Sequence, residues 1–254
     1  MGKCITIGVI SVKGGVGKTT VSSNISSALA SEFGKKVLLV DANFSTPHCG
    51  MHVGLVTPQA TIHDVLRGDV SPFQALYEHD SGLHVLPGSL LPKNISPLKL
   101  KSKLEPLKDY YDVIILDSSP SLNDEMLATI MSSDELLVVS SLDFPTLSAT
   151  LHAVKIAKQR KVPIRGLVIN RARYKDFELS AEDISNASGI PVLSVLPEDV
   201  KVLEALASST PVTLYAPNRD ISIAYKKLAG SLIGVEYQEQ GMLSKFGSWF
   251  TGRK

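Results

Sequence analysis

The chain has 254 residues, a formal net charge of +1, 44% hydrophobic residues and 20% charged residues. This ordinary soluble composition can build a sizeable core in one large or two small domains, and near-neutrality excludes a general pull toward nucleic acid or membrane, so any such binding must be local. The two cysteines, Cys4 and Cys49, exclude a disulfide framework, and without a CxxC pair there is no zinc or iron–sulfur signature; a reducing cytoplasm fits best.

The chain enters directly into a strand-like run at residues 4–10, with no charged-then-apolar leader. Further short apolar runs follow at Val37 to Val40, Leu83 to Leu86, Val113 to Leu116, Leu136 to Ser140, Leu167 to Asn170 and Val192 to Val195. They are apolar throughout rather than alternating, as expected of strands covered on both faces. Helical patterns lie between them, among them Val21 to Phe33, ended by Gly34, and Leu147 to Lys161, ended before Pro163. Strand–helix alternation predicts a single α/β domain with a doubly wound, mostly parallel sheet flanked by helices. Residues 82–107, rich in Pro, Leu and Lys, read as an irregular surface excursion. After Gly234 the character changes, which predicts a body over 1–234, a linker over 235–241 and an appended element over 242–254. No apolar run approaches the roughly 20 residues that span a bilayer.

Residues 13–20 read Lys-Gly-Gly-Val-Gly-Lys-Thr-Thr, placed between a strand and a helix. That is the context of a P-loop of the NTPase fold. Gly14, Gly15 and Gly17 allow a tight turn whose N–H groups converge on phosphate, and the helix beginning near Thr19 and Thr20 adds its positive end. Lys18 can reach the β- and γ-phosphates, and the Thr19 hydroxyl can ligate Mg²⁺. The usual first glycine of the loop is replaced by Val12, and Lys13 precedes the glycines.

The string Lys13-Gly14-Gly15-Val16-Gly17-Lys18-Thr19 resembles the deviant Walker A motif of the MinD/ParA ATPases. In that family the extra lysine serves the partner's nucleotide across a dimer interface, so the resemblance implies an ATP-dependent homodimer. A lysine serving phosphates within its own subunit, or facing water, is the alternative. The likeness continues along the chain. Val37-Leu38-Leu39-Val40-Asp41 is similar to the strand whose aspartate holds Mg²⁺ through water, and Val113-Ile114-Ile115-Leu116-Asp117 to the Walker B strand. Val168-Ile169-Asn170-Arg171 is similar to the segment whose asparagine reads the adenine edge, with a strand-end cap as the alternative for Asn170. Leu196-Pro197-Glu198-Asp199 resembles the segment beside the base, and Asp143 stands where the family carries an acid near the nucleotide at the dimer interface. The implied ligands are ATP or ADP with Mg²⁺.

Two positions depart from the family pattern. Asp41-Ala42-Asn43 has Asn43 where a second aspartate polarises the attacking water, which predicts slow hydrolysis. Ser121 replaces a glycine in the second switch. His48, Cys49 and His52 read as packing or hydrogen-bonding residues rather than metal ligands.

On a helical wheel Met242, Leu243, Phe246, Trp249 and Phe250 fall within an arc of roughly 120°. This resembles the family's membrane-targeting helix, and its aromatics suit an interface. A tail folded back on the body or on a partner subunit is the alternative. Together these features predict a cytoplasmic ATPase, peripheral on the inner face of the cell membrane, that positions division or another structure with the help of a partner stimulating hydrolysis. The alternatives are a ParA-like DNA-partitioning ATPase, a flagellar-number regulator and a nearly inactive nucleotide-dependent scaffold.

Overall fold

In the computed structural model, which describes residues 4–91 and 93–239, alternate residues of each central strand enter opposite cores. The elements run β1 (Ile5–Ile10), α1 (Lys18–Ser31), β2 (Val37–Ala42), α2 (Cys49–His52), α3 (Ile62–Arg67), β3 (Tyr77–Glu78), β4 (His84–Leu86), α4 (Leu100–Leu104) and β5 (Val113–Ser118). They continue with α5 (Asp124–Ser132), β6 (Glu135–Ser140), α6 (Phe144–Gln159), β7 (Ile164–Ala172), α7 (Ala181–Ser188), β8 (Val192–Pro197), α8 (Val200–Ala207), α9 (Val212–Tyr215) and α10 (Asp220–Leu232). One sheet of eight strands results, in the order β3-β4-β2-β5-β1-β6-β7-β8, and only β3 pairs antiparallel.

Ile7, Val9, Ile115, Leu137 and Val168 point into the core shared with α1 and α10. Ile114 and Leu116 join Leu66, Leu100 and Ala128 on the other face, where Leu136 and Ile169 meet α5 and α6. This two-sided burial is the reason the strands read as unbroken apolar runs. Helix α1 lies close on the sheet because Ser22, Ser23, Ser26, Ser27 and Ala28 are small; all five are fully buried.

The seven expected strands form, and β3 is an eighth. With two residues it is too short to show a period, and it pairs Tyr77 with Val85. Helix α1 begins at Lys18 rather than Val21, so the lysine and both threonines form its first turn. Helix α6 begins at Phe144, because Asp143 caps it by accepting from the Thr146 N–H at 2.8 Å and Pro145 suits its first turn.

Residues 82–107 are a surface excursion only in their middle, where the described residues of 89–99 are exposed or half-buried, and not at their two ends. Leu83, Leu86, Leu100 and Leu107 are fully buried and Leu104 nearly so, while Leu90, Leu91 and Leu98 are exposed. Leu100, Leu104 and Leu107 sit one helical turn apart, a spacing obscured by the prolines around them. The first part of the expected linker also lies against the body. Tyr237 packs edge-on to Phe33 at 6.3 Å, Lys226 holds Glu32 at 2.5 Å and lies over the Tyr237 ring, and Lys227 pairs with Glu239 at 2.8 Å. The expected tail, 242–254, lies outside the described residues. Among those described, no helix is long and apolar enough to cross a membrane.

Candidate nucleotide and metal site

The carboxyl ends of β1, β2, β5, β6 and β7 deliver Lys13, Asp41, Asp117, Asp143 and Asn170 to one edge of the sheet. This is the edge at which open α/β sheets bind ligands. Gly15 and Gly17 adopt φ of 78° and 93°, in the left-handed region. At Gly17 a Cβ would lie 2.2 Å from Asn170 Nδ2, so the position needs glycine on both counts. Gly14 has no such need, since a Cβ there would meet Pro120 at an ordinary 3.8 Å. Helix α1 has no side-chain N-cap and no acid in its first turn, which leaves its N–H groups to an anion.

Lys18 is 7% exposed, and burial holds its ammonium below the usual lysine range against the pull of Asp117. Among the described residues it forms no ion pair. A buried ammonium held in no ion pair suits a site whose anion arrives with the ligand.

Behind it Thr19 Oγ1 donates to Asp117 Oδ2 at 2.6 Å, and Ser22 Oγ to Asp117 Oδ1 at 3.0 Å. Asp41 Oδ2 accepts from the Cys49 N–H at 2.9 Å, and Cys49 Sγ donates to Asp117 at 3.3 Å. The ligand atoms of Asp41, Cys49 and Asp117 lie within 4.8 Å of one another, all buried. Burial, then the charge of Asp117, pushes the Asp41 carboxyl well above the usual range; burial likewise raises Asp117. A hard divalent cation would relieve both, and a hydroxyl with two carboxylates is an oxygen set that fits Mg²⁺. Cys49 reaches this centre without His48 or His52, whose imidazole is pushed down to about 4, by burial first and His48 second. The place of Cys49 has no local signal, since its contact with Asp117 spans 68 residues.

Lys13 Nζ donates to Asp143 Oδ1 at 3.1 Å and to Thr146 Oγ1 at 2.7 Å. Burial works against the charge on Asp143, but hydrogen bonds from Ser141, Thr146 and Lys13 hold its carboxyl well below the usual range. Lys13, Gly14, Gly15, Val16, Asp143 and Arg171 share a cleft of about 310 Å³.

A second cleft, of about 570 Å³, is lined by Thr20, Asn170, Arg171, Pro197, Glu198 and Asp199. Asn170 spends one N–H on the Val16 carbonyl at 2.8 Å, bracing the P-loop, which leaves its other N–H and its oxygen for a ligand. Arg171, at φ 60°, borders both clefts. Glu198 is forked by Arg173 at 2.7 and 3.0 Å, and Asp199 caps α8 and takes Arg219 at 3.0 Å. These two carboxylates are therefore engaged in holding the cleft wall. Arg173 and Arg219, which hold them, carry no sequence motif.

Asn43 is 7% exposed, and its amide is occupied within its own loop. Nδ2 donates to the Thr46 carbonyl at 2.6 Å, and Oδ1 accepts from Thr46 Oγ1 at 3.2 Å. Ser121 is exposed, and its carbonyl accepts from Ser119 Oγ at 3.3 Å in the second switch.

A left-handed glycine turn before an uncapped helix, a buried unpaired lysine and two buried carboxylates behind a threonine define a P-loop nucleotide-binding protein. The sequence model of a family described as an AAA domain matches residues 4–163. An uncharacterized ATP-binding protein of Methanocaldococcus jannaschii is 34% identical over 98% of this chain and 98% of its own. The septum site-determining protein MinD of Thermotoga maritima is 30% identical over 89% and 87%. The solved structure of MinD from Pyrococcus horikoshii, complexed with Mg-ADP, superposes with a TM-score of 0.86 at 30% identity, covering 90% of this chain and 96% of that one. The chain belongs to the MinD/ParA family of deviant Walker A ATPases.

Proposed function

We propose that this protein is a MinD-like ATPase that binds ATP and ADP with Mg²⁺ and hydrolyses ATP slowly. It pairs with a second copy when ATP is bound and resides on the inner membrane face through residues 242–254, appended to a body over 1–234. In that state it helps position cell division or another cellular structure, and a protein partner stimulates its hydrolysis. The observation that carries this reading is the buried Lys18, held in no ion pair, beside the Thr19–Asp117 hydrogen bond: a cation facing the place of an anion, next to carboxylates that can take a cation.

In this reading the N–H groups of Gly14 to Thr20 and Lys18 hold the phosphates. Thr19, Asp41 and Asp117 would hold Mg²⁺, which supplies charge neutralisation when bound. Asn170, Arg171 and Pro197 border the base, and Glu198 and Asp199 fix that wall. Lys13 leaves Asp143 for the partner's phosphates, which makes dimerisation and nucleotide recognition one equilibrium. Asn43 carries no charge and is spent on its own loop, which accounts for slow turnover.

ATP turnover measured with and without anionic liposomes, beside light scattering, tests the reading. Turnover raised by liposomes, with a dimer only in ATP, is the expected result; a monomer in both nucleotides contradicts it.

ParA-like DNA association is the second reading. Residues 144–175 carry Lys155, Lys158, Arg160, Lys161, Arg165, Arg171, Arg173 and Lys175 and no acidic residue, a local cationic run in a nearly neutral chain. Salt-sensitive retention of duplex DNA would favour it over membrane binding.

A further inference from the structure

Three successive residues of the loop after β2, Asn43, Phe44 and Ser45, are held by three different partners. Asn43 closes on Thr46. Phe44 gives its carbonyl to His63 Nε2 at 2.9 Å; His63 Nδ1 accepts from the Ser89 N–H at 3.0 Å, so the proton sits on Nε2 and the ring is neutral. Ser45 donates its hydroxyl to Glu125 Oε1. Glu125 is the second residue of α5, on the element that follows the Asp117 switch, and Asn123 caps that helix through the N–H groups of Glu125 and Met126.

Glu125 is 7% exposed, and its Oε2 is buried with no hydrogen-bond partner. A carboxylate placed in the interior with half its acceptor capacity unfilled calls for a reason. Helix N-termini tolerate acids, but most carry them facing water. This one is turned onto the loop that holds Asn43, where the family pattern would supply a carboxylate and this chain supplies none.

We infer that Glu125 is a positioning residue for the attacking water, standing in through Ser45 for the acid absent at position 43. Ser45 commits its proton to Glu125, so its oxygen presents lone pairs and can accept a hydrogen of the water that attacks the γ-phosphate. Glu125 fixes the direction of that hydroxyl. The inference rests on the ATPase reading above.

The test compares Glu125→Gln, which keeps shape and removes charge, with Ser45→Ala at an exposed position. Each should lower kcat by roughly tenfold to a hundredfold, the order that misplacing a reacting group costs. Affinity for a fluorescent ATP analogue and KM should move less than about threefold. Because the two residues act as one unit, the double variant should lose no more than either single one. Asn43→Asp should raise turnover by a larger factor in Glu125→Gln than in the parent, a selective rescue that a structural role for Glu125 would not give.

A Glu125→Gln variant with the parent's kcat, Ser45 and Glu125 losses that multiply, or an Asn43→Asp change that speeds folded Glu125→Gln by no larger a factor than it speeds the parent each overturns the assignment. A parent protein that binds Mg-ATP and never turns it over counts instead against the hydrolytic reading itself.

Discussion

Lys13 reaches Asp143 of its own chain across 130 residues of sequence, with 39% and 43% of the two side chains exposed. Ion pairs this open contribute at most about 1 kcal/mol. The contact is thus a resting place that Lys13 can leave at little cost. Asp143→Asn should therefore shift the ATP-dependent dimer constant by no more than about fivefold. Lys13→Ala should weaken it about 30-fold or more, since truncating one partner of a desolvated charged contact costs about 2 kcal/mol or more. Light scattering with ATP and Mg²⁺ reads both. A Lys13→Ala protein that dimerises like the parent would remove the lysine from the interface.

Gly17 carries a second, steric constraint. A side chain there meets two obstacles, the left-handed φ of 93° and the amide of Asn170 at 2.2 Å. The backbone term alone costs about 1–3 kcal/mol, and displacing Asn170 also breaks its bond to Val16. Gly17→Ala should lower thermal stability and abolish binding of a fluorescent ATP analogue. Adding Asn170→Ala should return part of the stability and none of the binding, because it removes the clash and leaves the backbone strained. Full recovery by the second change would mean that φ at this position carries no cost.

Acid should destabilise the protein through its histidines before its carboxylates. His52 has a folded-state pKa near 4 against an unfolded value of 6.5, so its contribution is complete above about pH 6.5 and is lost as pH falls toward 4. At most about 3 kcal/mol is involved. Burial lowers His63 in the same direction, and protonation there would also break its acceptance from Ser89. Melting temperatures between pH 7.5 and 4.5 should fall less steeply for His52→Leu than for the parent. Parallel slopes would show that His52 does not govern this range.

The parts of the site legible in the sequence are those made by neighbours along the chain. The glycines, Lys18 and Thr19 lie within one strand–turn–helix unit, and Asp41 and Asp117 end apolar strands. What pairs those units is the strand order β2-β5-β1-β6-β7, which no local period encodes. Cys49 beside Asp117, Ser45 beside Glu125 and Asn170 beside Val16 are separated by 68, 80 and 154 residues, and each was invisible for that reason. Residues 82–107 misled in the opposite way: prolines and lysines hid three leucines on one helical face.

Residues 242–254 carry the proposed membrane contact. Tyr237 packs on Phe33, just beyond α1, and Glu239 pairs with Lys227 of α10, so the chain lies on the body as far as Glu239. One segment offers Met242, Leu243, Phe246, Trp249 and Phe250, each contributing at most about 1.5–3 kcal/mol on full burial. Partial interfacial burial and the entropy of ordering a glycine-containing stretch reduce that heavily, and Lys245, Arg253 and Lys254 add little charge attraction. A single copy should therefore bind a bilayer weakly and reversibly. Two copies on one ATP-bound dimer act together, because the first contact keeps the second near the surface, and avidity rises by about 10²–10⁴. On the proposed function, ATP should then set membrane residence with no change in the segment itself. Cosedimentation with anionic liposomes should show retention in ATP and little in ADP, and Phe246→Glu or Trp249→Glu should abolish it in both. Equal retention in ATP and ADP would break the coupling, and full retention after truncation at Gly241 would take the segment out of the mechanism.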